Sequence, residues 1–230
     1  PCWNIPVGKN TFVLTQPLSS FLVYLLGIET LWFSFSFLQV HDLGPTHKWW
    51  FISLLLWGLG ALIAGSSYQA FGYYIKCHGR DQCTWTSWWE IIYLILQKLS
   101  VDAMLVAVAY SSIPPGNLRT VVFYFAGITA IIYVALIIYG SLKPVKKLIT
   151  FETMLLFCMP AYTFLLGLSG YRYILYGKEL DLFLIAVWIS LVAIIIVYYA
   201  YLKLGWTQIL WRKKIWFSEN DVLHVALIIW

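Results

Sequence analysis

The chain has 230 residues, of which 61% are hydrophobic and only 11% charged, with a formal net charge of +5. A soluble domain carries about 25% charged residues, so this chain cannot clothe a water-soluble globule and must be solvated by lipid. The positive balance is no nucleic-acid signal, because the basic residues sit in short connections between apolar runs, where they set orientation and meet anionic headgroups.

Seven apolar stretches follow in chain order, near 18–40, 49–75, 88–110, 120–140, 150–168, 180–203 and 221–230. A spanning helix needs about 20 apolar residues. Six stretches meet that length, the fifth barely. The last, "VLHVALIIW", reads as the first half of a span. The stretches are too long and too uniform for the alternating segments of a membrane barrel. The fold class expected is therefore all-α: a polytopic membrane protein forming one seven-transmembrane helix bundle over 1–230. The chain begins at Pro1 and ends at Trp230 inside an apolar run, so both termini read as incomplete.

Short connections with turn chemistry separate the stretches: "HDLGPTHK", "KCHGRDQC", "SSIPPGN", "SLKPVKK" and "SGYRYILYGKELD". Pro160 falls inside the fifth stretch and is expected to kink it. Ten Lys and Arg residues lie at the N-terminus and in the second, fourth and sixth connections, against four on the opposite side. That bias places the N-terminus in the cytoplasm. Cys77 and Cys83 flank the second connection. Their spacing is open to three readings: a disulfide if that side is oxidising, free thiols if it is cytosolic, or a metal site.

Ionisable groups inside spans are expensive and are candidates for function. Glu29 lies roughly 16 Å into the first span. Lys98 and Asp102 stand at i and i+4 of the third, on one face. Together the three form a candidate intramembrane charge cluster, either a neutral internal staple or a proton or ion pathway. A second group shares one depth. Ser66, Tyr68 and Gln69 close the second span, Glu90 and Tyr93 open the third, and His224 opens the seventh. If those faces converge, they line a polar, ligand-binding pocket.

The layout of "GSSYQ", "WWEIIY" and "NDVLHVALI" along seven spans resembles the membrane-hydrolase superfamily of alkaline ceramidases and adiponectin and progestin receptors. In that superfamily Ser-x-x-x-His late in helix two, an Asp by helix three and His-x-x-x-His in helix seven assemble a zinc site for amide hydrolysis. The resemblance places Gly65 at the Ser position, Gln69 at the first His, Glu90 near the Asp, His224 at the first His of helix seven and Ile228 at the second. It implies a ceramidase-like scaffold in which His224 alone remains as a metal ligand. Zinc is thus no expected cofactor, or is held weakly through His224. The function implied is non-catalytic: lipid-binding, receptor-like, or an accessory subunit of a membrane assembly. The alternatives are a metal-dependent lipid-amide hydrolase and a proton or ion pathway protein. The partners expected are membrane lipids and other membrane subunits, with no nucleic acid.

Overall fold

The computed structural model describes residues 2–7, 10–39 and 44–230. Lys9, counted above for orientation, and the start of the first connection at 40–43 lie outside the described residues. Among the described residues six helices are long and apolar enough to cross a membrane, so the chain is a helical, multi-pass membrane protein.

Before the first span the chain forms a hairpin, β1 (Cys2–Val7) against β2 (Asn10–Thr15), antiparallel with Cys2 opposite Thr15. No expectation covered it. Gln16 then turns the chain at φ 47°, and Pro17 opens α1 (Pro17–Ser36). Proline is favoured there because the first helical N–H has no partner and the ring presets φ. A 3₁₀ turn, Phe37–Gln39, extends that span.

The remaining helices are α2 (Pro45–Ala64), α3 (Gly72–Lys76), α4 (Trp88–Ser112), α5 (Asn117–Leu142), α6 (Phe151–Tyr176), α7 (Glu179–Lys203), α8 (Trp206–Arg212) and α9 (Glu219–Ile229). One departure from expectation matters. The second span does not end as α-helix but passes through a π-helical turn, Gly65–Ala70. α6 is helical on both sides of Pro160. The seventh segment is the 11-residue α9, about half the length that a bilayer requires; among the described residues six helices are long enough to span.

The chain divides into two compact units. The first comprises Pro1–Leu26, Ala64–Ser87 and Leu168–Trp230. Here the end of α6 is tied to α7 twice: Arg172 pairs with Asp181 at 2.9 Å, and Trp188 Nε1 donates to Ser169 Oγ at 3.3 Å. α7 packs on α9, and Trp230 Nε1 donates to the Val187 carbonyl at 2.9 Å.

The second unit comprises Gly27–Ile63 and Trp88–Gly167. α4 is its core: 72% of its spanning window is buried, against 22% for α5. A run of small residues, Ala103, Ala107 and Ala109, all buried, lets neighbouring backbones approach closely. α1 and α2 cross at glycines for the same reason. A Cβ on Gly27 would stand 2.7 Å from Leu62, and one on Gly58 would stand 2.8 Å from Leu31. Lipid tails give no hydrophobic drive to helix association, so hydroxyls and amides hold the helices together. Ser53 and Ser100 exchange hydrogen bonds with each other's carbonyls at 2.9 and 2.8 Å, and Gln97 Nε2 donates to the Trp57 carbonyl at 3.1 Å.

Candidate functional site

Two polar centres result, one in each unit. In the first unit the start of α1 is the hub. Gly65 opens the π turn where a Cβ would fall 2.4 Å from Val23 Cγ1, so only glycine lets this turn lie against α1. The i→i−5 bond from the Phe71 N–H to the Ser66 carbonyl, 2.9 Å, widens the helix there and turns Ser66 toward α1. Tyr24 OH and Ser66 Oγ meet at 2.9 Å. Thr15 Oγ1 donates to the Gln69 carbonyl. π turns recur at functional sites because they re-aim side chains and expose backbone groups.

The same stretch of α1 also grips α9. Ser218 caps that helix with a reciprocal capping box: its hydroxyl faces the Asp221 N–H, and its own N–H donates to Asp221 Oδ2 at 2.6 Å. Ser218 Oγ reaches the same oxygen at 2.8 Å, and Ser19 Oγ donates to Oδ1 at 2.6 Å. Asp221 is 2% exposed, so these three donors replace the water its carboxylate lost. Beside it Gln16, Ser19, Trp211, Trp216 and Ser218 line a hollow of about 10 Å³, room for about one water centre.

Ser66 and Gln69 thus sit in the first unit with His224, and α1 touches both the π turn and α9. The side chains themselves do not join. Gln69 Oε1 and His224 Nδ1 are each buried without a hydrogen-bond partner. Tyr68 is exposed, with the Lys76 ammonium 5.3 Å above its ring. Glu90 and Tyr93 belong to the second unit, Glu90 deeply buried at the start of α4. Cys77 and Cys83 are joined in a disulfide across the turn after α3.

In the second unit Lys98 and Asp102 form an ion pair at 2.5 Å, both buried in α4. Thr129 of α5 completes the centre: Lys98 Nζ donates to its hydroxyl at 3.3 Å, and the hydroxyl lies 3.4 Å from Asp102 Oδ1. Cys158 of α6, also buried, lies within electrostatic reach of both charges. Asp102 Oδ2 is buried and takes no hydrogen bond. Glu29 stands apart from this pair. It is partly exposed, and among the described residues no ion pair or hydrogen bond reaches it.

The three positions that the resemblance aligns with metal ligands hold one ligating side chain, His224. Among the described residues no three His, Cys, Asp or Glu side chains cluster to hold a metal. A carboxamide stands at 69 and an isoleucine at 228, and the carboxylate nearest to His224 in sequence, Asp221, is spent on Ser218 and Ser19. Sequence reasoning missed Ser19 and Ser218 altogether. Ser218-x-x-Asp221 is a readable capping signal, but Ser19 carries no signal, because a serine in a span looks the same whether it faces lipid or a carboxylate.

The model of a family described as "Family of unknown function (DUF6962)" matches residues 18–230. No curated protein and no solved structure matches the chain.

Proposed function

Starting from a chain that belongs to the DUF6962 family, a family of unknown function, we propose that this integral membrane protein is non-catalytic and acts as an accessory, lipid-contacting subunit of a membrane assembly. The ceramidase-like scaffold, with α9 in the place of its seventh helix, is part of this reading. One observation carries it: the Asp221 carboxylate beside His224 and the Ser66 hydroxyl of the π turn are consumed as fasteners. The Asp221 carboxylate accepts from Ser218 and Ser19, Ser66 Oγ meets Tyr24 OH, and the backbone of the π turn is held at the Gln69 carbonyl by Thr15. The outer helices support the lipid or subunit contact. The spanning windows of α5, α6 and α7 are only 22%, 22% and 17% buried, and exposed Trp and Tyr side chains such as Trp88, Trp89, Tyr124 and Tyr176 suit membrane interfaces.

Metal analysis of the purified protein tests the reading. The expected result is no stoichiometric zinc and no amide hydrolysis, with His224→Ala changing neither. About one zinc per chain, lost in His224→Ala, overturns it in favour of a catalytic site. A second reading, a proton or ion pathway through Lys98 and Asp102, draws on the unbonded Asp102 Oδ2.

The charge bias supports a cytoplasmic N-terminus. On that placement the reducing cytosol would keep Cys77 and Cys83 as thiols, whereas the structure joins them in a disulfide, so labelling decides between the two. In a Cys2→Ser background, a membrane-impermeant maleimide is then expected to label neither cysteine in intact cells and both after permeabilisation without reductant. Labelling that requires a reductant places the N-terminal side in an oxidising compartment.

A further inference from the structure

The outward face of α1 has a pattern that neither polar centre uses. Its buried residues are Ser19, Ser20, Val23, Leu26, Thr30 and Ser34, which face the interior. On the opposite side Leu18, Phe21, Leu25, Ile28, Trp32 and Phe35 are 39 to 74% exposed. Their spacing is 3, 4, 3, 4, 3, the a and d positions of a heptad, the seam through which one helix takes another. Glu29 follows a d position and is therefore an e position, where charge selects the partner. It sits 12 residues after Pro17, about 18 Å along the helix, in the middle of the span.

A carboxylate at that depth needs a cation or a strong donor. Among the described residues this chain supplies none to Glu29. Among the described residues the cation buried mid-span, Lys98, is 1% exposed and bound by Asp102. A second copy does not help. In a parallel symmetric pair the e position faces g positions of the other helix, here Tyr24 and Leu31. Tyr24 already meets Ser66, and Leu31 is apolar.

We propose that the outward seam of α1 docks a transmembrane helix of a different protein, one that carries a Lys or Arg near mid-membrane, with Glu29 as the selecting contact. This deepens the accessory-subunit reading and rests on it. The bulky a and d residues supply knobs for the partner, and the charge pair at e fixes its register.

Dye-labelled full-length protein in phosphatidylcholine vesicles tests this by energy transfer to single-span Leu/Ala peptides. One peptide carries a mid-span Lys and the other a Leu at the same position. The expected result is about tenfold stronger association of the Lys peptide, with the difference lost in Glu29→Gln and association of both peptides weakened in Trp32→Ala. Glu29→Gln is neutral and near-isosteric, so an unchanged elution profile confirms its fold. Equal association of the two peptides, or a preference that survives Glu29→Gln, overturns the proposal and leaves the seam to lipid. Disulfide crosslinking of Ile28→Cys into a homodimer overturns it in favour of a second copy. Should the Lys peptide fail while the protein holds no zinc, the seam assignment falls and the non-catalytic reading stands.

Discussion

Asp102→Ala is expected to be the most damaging single substitution in the second unit, lowering stability by about 3–5 kcal/mol. It would leave the Lys98 ammonium, 1% exposed, with only the Thr129 hydroxyl at 3.3 Å as a partner among the described residues. The loss measures the stranded charge rather than the worth of the pair, because both ions gave up their hydration to enter α4. The double substitution Lys98→Met/Asp102→Leu, which removes both charges and keeps the volume, is therefore expected to recover most of the stability. Thermal unfolding in detergent, followed by tryptophan fluorescence, reads both. If the double variant unfolds as early as Asp102→Ala, the pair does more than neutralise itself. Asp102→Asn carries the second functional reading: it keeps the shape and removes the titratable oxygen. A pH-dependent ion flux in liposomes that disappears in Asp102→Asn supports a pathway, and flux unchanged by the substitution removes it.

Asp221→Ala is expected to loosen α9 by about 2–4 kcal/mol. A lost helix cap costs about 1 kcal/mol, and a buried hydroxyl stripped of its acceptor costs about 1–3 kcal/mol. Both apply, because one carboxylate serves the Ser218 cap and the Ser19 hydroxyl of α1. Hydrogen exchange at 219–229 is expected to accelerate while exchange in α4 stays unchanged. Asp221→Asn retains one acceptor oxygen and is expected to fall between wild type and Ala. Exchange at α9 unaffected by Asp221→Ala would show that packing on α7, not this fastener, holds the helix, and would withdraw the argument that the carboxylate is committed to structure.

How much of the site was legible follows from the range of each interaction. Lys98 and Asp102 were paired from sequence because i and i+4 share a helix face, a relation local to one element. Glu29, placed with them by depth alone, makes no bond to either. Depth fixes height in the membrane and leaves the azimuth free. Gln69 and His224 failed to join for the same reason: equal depth does not aim two side chains at each other. The hairpin before α1 escaped notice because six-residue strands carry too few alternations to stand out beside spans.

The sequence by itself determined that this is a multi-pass helical membrane protein, because hydropathy over a bilayer's thickness needs no knowledge of neighbours. It also determined where most spans lie, and that Lys98 and Asp102 share a face. Only the tertiary structure decided which helix each polar group meets. Ser19 finds Asp221 across 202 residues of chain, and a π turn at Gly65 forms where α1 comes too close for any side chain. Those choices depend on helix rotation about its own axis, which packing sets and which no single segment's composition records.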